Sequence, residues 1–316
     1  MQKSNLELVD GHWQYARSWH QQQVLAESML AKEYNCNKCL LAPSGTAAIA
    51  IALESLIVAK EIRQISMANE LYSGTHKLIY ALGITHNLLV TEFHQQAVPE
   101  SFPPNTLVFA ETISNPSGWR LDLDAMTRAQ PAILVLDNTW ATHHVVTIPW
   151  PCTLANQMDV YTVLSLSKHY SSGQTILGAI LGNDLSIPAS YARLRGNHVD
   201  PAACSIVTQT IPLMHTRIKN AADVAQRVVT YMRGEGIEVE YCPGCTTISF
   251  LTNCNMNKAK KRMKDSGVDY KTSFGTSTAR FDTFPVKNTS GSTWCRLALG
   301  YEDNHAVTNE MLLTFR

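Results

Sequence analysis

The stretch VYTVLSLSKHYSSG, residues 160–173, opens as a run of β-branched and apolar residues, the pattern of a buried strand. It closes with Ser165, Leu166 and Ser167 followed by Lys168, an ammonium group at the carboxyl end of an apolar strand. Only 16% of the chain is charged, so a lysine in this position asks for a reason.

Outward from this strand, residues 40 to 185 alternate between short apolar runs and amphipathic helical stretches. KCLLAP leads into the helical SGTAAIAIALESLIVAK, and RQISMAN, HNLLVTEF, TLVFAET, AILVLDNT and GAILG read as further strands around the helical GTHKLIYALGI. This is the signature of an α/β domain with a largely parallel sheet. A continuous helical pattern over 205–233 then opens a different region. There EVEYC, TTISFL, NKAKKRMKDSG and WCRLALGYE suggest a smaller α+β domain. The expected division is a short arm over 1–20, a large domain over 21–205 and a small domain over 206–316.

The chain has 316 residues, 45% of them hydrophobic, enough to bury a full core. Lys+Arg and Asp+Glu balance at 26 each, leaving no basic surplus for nucleic acid or an anionic membrane. NKAKKRMKD reads as the solvated face of a helix. The opening MQKSNLELVDGHW lacks the apolar segment of a signal peptide, and the longest apolar stretch is interrupted by Glu54, so a soluble, cytoplasmic protein is expected. Eight cysteines include two C-x-x-C pairs, Cys36/Cys39 and Cys242/Cys245. They lie some 200 residues apart, unlike the compact ligand sets of zinc ribbons, and CPGC precedes a strand rather than opening a helix. Neither metal nor redox chemistry is expected of them.

In open α/β sheets, ligands bind beyond the carboxyl ends of the strands. Three kinds of group fall there: Asp137 after AILVL, Lys168 after TVLSLS, and Ser44-Gly45-Thr46 at a helix start. The last is either a plain helix cap or an anion site built from unpaired helix N–H groups. Asp137 is either a turn residue or a buried carboxylate that needs a cationic partner. Taken together they suit a single ligand bearing a phosphate, a basic ring nitrogen and a carbonyl that condenses with lysine. Pyridoxal 5'-phosphate has all three, and Ser165 and Ser167 add hydroxyls for its phosphate.

Eight segments, in order, resemble the Cys/Met-metabolism family of fold-type-I pyridoxal-phosphate enzymes, whose members include cystathionine γ-synthase, cystathionine lyases and methionine γ-lyase. They are YARSWHQQQVLAESMLAKEY, SGTAA, YSGTHKL, ETISNPSG, LDNTWAT, SLSKHYSSG, SFGTSTAR and CRLALGYED. The resemblance implies a large domain with a mostly parallel seven-stranded sheet and a smaller C-terminal α+β domain. It implies an internal aldimine on Lys168, which then shuttles protons, and Asp137 against the pyridinium. Ser44, Gly45, Thr46, Ser165 and Ser167 would hold the phosphate, and Tyr72 would stack on the ring and act as acid or base. Asn115 would lie near the ring or substrate, and Arg296 and Ser273 would receive the substrate carboxylate. Tyr15 and Arg17 would reach the phosphate of a neighbouring subunit, making a homodimer the minimal unit and a tetramer its extension.

The implied reaction is β/γ-elimination or γ-replacement on an amino acid with a sulfur or oxygen leaving group. Departures bear on substrate choice: QQQ stands for Asn-Pro-Thr, the arm is nearly absent, the loop before Arg296 is cut to PVKNTSGSTW, and Thr278 replaces a glutamate. An aminotransferase or a catalytically idle cofactor-binding scaffold are the alternatives. His143, His144 and His169 are read as structural or surface groups, with His169 able to tune the site. Trp119, Trp140 and Trp150 are read as core or interface rather than substrate cage.

Overall fold

The structure, a computed structural model, describes residues 8–9, 12–13, 20–148, 158–265, 267–286 and 292–315. Tyr15, Arg17 and Trp150 lie outside the described residues. Strands β1 (Leu8–Val9) and β2 (His12–Trp13) make a small antiparallel ribbon. Helix α1 (Gln21–Glu33) begins at the QQQ segment, where His20 Nδ1 accepts the Gln23 N–H at 3.1 Å and caps the first turn.

The alternating region follows as β3 (Lys38–Ala42), α2 (Gly45–Ala59), β4 (Gln64–Ala68), α3 (Ser73–Thr85) and β5 (Leu89–Phe93). It continues through β6 (Thr106–Glu111), α4 (Leu123–Ala129), β7 (Ile133–Asp137), β8 (Asp159–Ser165) and β9 (Gly178–Gly182). Seven strands form one sheet in the order β3-β9-β8-β7-β6-β4-β5, with β9 alone running against its neighbours. Every residue of β6 and β9 is buried. Such continuous apolar runs mark strands covered on both faces, which is why they were readable from sequence.

After α5 (Ser186–Leu194), the long helical pattern divides into α6 (Pro201–Thr210), a 3₁₀ turn over Ile211–Leu213 and α7 (Met214–Gly234). The long helical pattern is thus two helices joined by a 3₁₀ turn. Pro212 lacks an N–H and its ring opposes the preceding turn, so the helix changes pitch where that proline enters.

The second sheet contains β10 (Val239–Glu240) and β11 (Thr247–Thr252); after α8 (Met256–Asp265) come β12 (Asp269–Tyr270), β13 (Arg280–Pro285) and β14 (Thr293–Ala298). Its order is β10-β11-β14-β13-β12, and α9 (Asn309–Leu313) follows. This sheet packs with the second half of α7 in a core of its own, around Phe250, Phe281 and Met232. In α8, Lys258, Lys261 and Lys264 are exposed while Ala259 and Met263 are buried, the amphipathic pattern read from sequence. No helix among the described residues is long and apolar enough to cross a membrane.

The site depends on a close approach between β3–α2 and the β8–β9 pair. A Cβ on Gly178 would stand 2.2 Å from the Ser44 carbonyl oxygen, a backbone atom that cannot yield. Gly178→Ala should therefore destabilise the protein by about 2 kcal/mol or more. Gly234→Ala, at a helical position with no atom within 4 Å, should be neutral or stabilise by about 0.5–1 kcal/mol. Chemical unfolding of the two variants beside the wild type checks the contrast.

Candidate active site

The parallel strands deliver their carboxyl ends to one edge of the large sheet, and a cavity of about 1050 Å³ opens there. Ser44, Gly45, Thr46, Asp137, Ser165, Ser167 and Lys168 all line it, as do Tyr72, Asn115 and Arg296. Ser273 is half-buried and outside the lining, between Thr272 and Phe274, which are part of it.

At one end, α2 points its first turn into the cavity. Ser44 caps the helix by accepting the Ala47 N–H at 3.0 Å, and Ala48 N–H goes to the Ser44 carbonyl at 2.9 Å. Gly45 is a packing requirement as well as a helix start: a Cβ there would meet the Ser165 Cβ at 2.6 Å. The helix end is thereby brought against the Ser165 and Ser167 segment, which makes a small-residue cradle with backbone N–H and hydroxyl donors, chemistry suited to a phosphate. Thr139 holds the cradle in register by accepting the Ser165 N–H through Oγ1 at 2.8 Å. The Ser167 hydroxyl also shares hydrogen bonds with the backbone of Leu177.

Asp137 ends β7. Its Oδ1 accepts the Thr139 N–H at 2.9 Å. Burial raises its pKa, while the Thr139 bonds and the nearby Lys168 charge oppose the rise. Lys168 responds in the opposite sense: burial first, then the charges of Arg296 and Arg280, lower its pKa, and Asp137 partly restores it. A buried lysine with a lowered pKa is the form in which an amine serves as nucleophile or base. Its ammonium position lies 5.4 Å from the centre of the Phe274 ring.

Arg296, on β14, is 3% exposed. Its Nη1 donates to Asn115 Oδ1 at 3.1 Å, and its Nη2 donates to the Thr272 carbonyl at 2.9 Å and to Asp282 Oδ2 at 3.3 Å. Asn115 is therefore joined to Arg296 directly. Tyr72 is half exposed at the cavity mouth, just before α3, and its N–H donates to Glu111 Oε1.

Three carboxylates at this site were missed from sequence. Glu111 ends β6 directly opposite Asp137 in the sheet register. Burial and then the Asp137 charge push its pKa well up. The signal was present, since TLVFAE ends an apolar strand in an acid just as AILVLD does. Glu70 follows β4 and accepts from the N–H and hydroxyl of Ser117. Asp282 lies in β13, a strand that went unread because a charge interrupts its apolar pattern.

Trp119 departs from expectation, whereas Trp140 is in the core as expected. Trp119 lines the cavity together with Trp294, the two rings meeting edge to face at 6.3 Å, and Trp140 lines it too. His169 is buried, with Nε2 donating to the Trp140 carbonyl at 3.1 Å. The C-x-x-C pairs stand apart: Cys36 and Cys39 are at the entry to β3, and Cys242 and Cys245 bracket the turn before β11. Among the described residues, no cluster of three or more His, Cys, Asp or Glu side chains could hold a metal ion.

A family model described as Cys/Met metabolism PLP-dependent enzyme matches residues 2–284, and the chain belongs to that family. Curated relatives include a cystathionine β-lyase from Neurospora crassa, 25% identical over 249 residues, covering 73% of this chain and 51% of the relative. A cystathionine β-lyase from Bordetella avium is 29% identical over 180 residues, covering 55% and 43%. The chain thus spans about half the length of the curated relatives it matches. Among solved structures, a cystathionine γ-lyase from Lactobacillus plantarum complexed with L-serine superposes with a TM-score of 0.79 at 17% identity, covering 100% of this chain and 89% of that one. A Campylobacter jejuni chain described as an O-acetylhomoserine (thiol)-lyase gives 0.77 at 18% identity, covering 95% and 86%, and contains N'-pyridoxyl-lysine-5'-monophosphate. The fold is accordingly that of fold-type-I pyridoxal-phosphate enzymes.

The residues present fit that cofactor. The Gly45–Ser165 cradle would take the phosphate, Asp137 the ring nitrogen, and Lys168 the aldehyde.

His169 adds a pH dependence to this region. Burial holds its imidazole down to about 4, whereas an unfolded chain protonates near 6.5. The stabilisation from keeping it neutral is complete above pH 6.5 and is lost as pH falls toward 4. Between pH 7 and pH 4.5 the wild type should lose about 2–3 kcal/mol that His169→Asn does not lose. Denaturant unfolding of both proteins at the two pH values measures the difference.

Proposed function

We propose that the chain catalyses β- or γ-elimination, or γ-replacement, on an amino acid carrying a sulfur or oxygen leaving group. One observation carries the reading: the Lys168 amine, its pKa lowered by burial, shares a single cavity with Asp137, Tyr72 and Arg296. Family membership supports the same chemistry. When bound, pyridoxal phosphate supplies an aldehyde for an amine and a ring that takes up the electrons released at Cα.

The chain's own groups then divide the work. Lys168, neutral at a lower pH than an exposed lysine, takes the Cα proton and, in γ-chemistry, moves a second proton at Cβ. Asp137, whose Oδ1 is already fixed by Thr139, keeps a proton on the ring nitrogen by charge. Tyr72 at the cavity mouth can pass its hydroxyl proton to the departing sulfur or oxygen. Arg296 and Asn115, joined to each other, face the substrate's carboxyl end. The aromatic wall of Trp119 and Trp294 excludes water from the side where the leaving group departs.

We further infer a homo-oligomer acting in the cytoplasm.

Loaded with pyridoxal phosphate, the wild type should show a visible absorbance band that Lys168→Ala fails to form. It should also release a keto acid from at least one of cysteine, cystathionine, methionine or an acylated homoserine. Lys168→Ala should lower kcat by at least about a thousandfold, and Tyr72→Phe by about 10–100-fold with little change in KM. A band without keto-acid release from any of these would turn the reading toward the idle cofactor-binding scaffold, and absence of any band after cofactor addition would overturn the proposal.

A further inference from the structure

The second sheet turns one face to its own core and the other to the cavity. Phe250, Phe281, Cys295 and Leu297 belong to that core, so the alternate positions on the same strands face the opposite way. These positions make two rows across three strands. In the first, Arg296 is paired with Ser249 of β11 and Asp282 of β13. In the second, Trp294 is paired with Leu251 and Phe284. All three members of the second row line the cavity, and each is half-buried.

The large domain closes the second row from the other side. The Ser249 hydroxyl donates to the Pro116 carbonyl at 2.7 Å, which lays the loop after β6 against this face. Trp119, in that loop, then meets Trp294 edge to face at 6.3 Å. The result is an apolar floor with an indole wall, two residues along the strand from Arg296. Two residues of a strand span about 7 Å. That matches the reach from a carboxyl carbon, through Cα, Cβ and a sulfur, to the group the sulfur carries. Half-buried apolar surface of this kind gains by being covered.

The charged groups of the cavity lie in two other places. Arg296, Asp282, Asp137, Glu111 and Lys168 belong to the reacting end. Near the mouth, His76 Nε2 lies 3.1 Å from Glu92 Oε1, and Glu70 already accepts from Ser117. Lys77 also lines the cavity but is exposed, and an ion pair made in water gains little. A charged far end on the substituent would lose hydration against the indoles, with only Lys77 and Glu70 to offset it.

We propose that the Leu251–Trp294–Phe284 row, with Trp119, holds the substituent on the leaving atom and selects thioether amino acids ending in a bulky apolar, best an aromatic, group. A benzyl thioether is favoured over one whose far end is charged, such as cystathionine. This rests on the proposed function, since it assumes that the substrate's carboxyl end faces Arg296.

The test gives the pyridoxal-phosphate-loaded protein S-methyl-L-cysteine, S-benzyl-L-cysteine and L-cystathionine, and in parallel L-methionine and S-benzyl-L-homocysteine. All release alkanethiols of similar basicity, so the comparison reads the subsite. The change in cofactor absorbance gives a binding constant for each, and keto-acid release gives kcat/KM. A benzyl thioether should be favoured over its methyl counterpart and over cystathionine by on the order of tenfold or more. Trp294→Ala should cut the benzyl-to-methyl ratio by about tenfold, and Trp119→Ala makes the same comparison if that variant fails to fold. A wild type that prefers cystathionine, or a benzyl-to-methyl ratio unmoved by loss of the indole, overturns this assignment alone. A loaded protein that responds to none of the five amino acids overturns the proposed function, and this assignment falls with it.

Discussion

The guanidinium of Arg296 couples the two sheets at the cavity. It reaches Asn115 in the loop after β6 of the large sheet, Thr272 in the connection between β12 and β13, and Asp282 in β13 of the second sheet. Its plane is packed by Trp140 from one and Phe274 from the other. A buried cation is costly unless paired and hydrogen-bonded, and burial does pull the Arg296 pKa down, with Asp282 and Glu111 restoring it. Removing Asp282 would leave a desolvated charge without its ion-pair partner, so the placement of the sheets and the identity of these residues constrain each other.

The α/β half was legible because its strands are covered on both faces and carry uninterrupted apolar runs. TLVFAE and AILVLD need no knowledge of their neighbours to be read as strands. The second sheet was less legible for a complementary reason. In RFDTFP the apolar alternation carries Asp282, whose burial makes sense only once Arg296, in β14, pairs with it. Local pattern cannot anticipate a charge that a later strand neutralises. The break at Pro212 was a different failure: apolar periodicity continued across it, while the missing N–H changed the backbone hydrogen bonding beneath.

The candidate site divides along the same line. Lys168, Asp137 and Ser44–Thr46 could be placed because each directly follows an apolar strand, and the parallel sheet brings such ends together. Glu111 satisfied the same rule and was passed over, because its motif had been read for Asn115. Trp119 was assigned to core or interface, since an aromatic residue in sequence carries no sign of which side faces a cavity. Its neighbours in the structure, His94 and Trp294, are far from it along the chain.

The unassigned Glu111 also bears on the electrostatics around Asp137. The two carboxyl groups sit opposite each other at the ends of adjacent strands, and two close buried carboxylates do not both ionise readily. Their environments are unequal. Asp137 accepts from Thr139 and feels the Lys168 charge, whereas Glu111 accepts the Tyr72 N–H but also feels the charges of Asp137 and Glu70. Burial pushes both carboxyl groups up, and the stronger rise falls on Glu111. A cationic ring nitrogen would meet in Asp137 a carboxyl group already held by the Thr139 N–H and under the charge of Lys168.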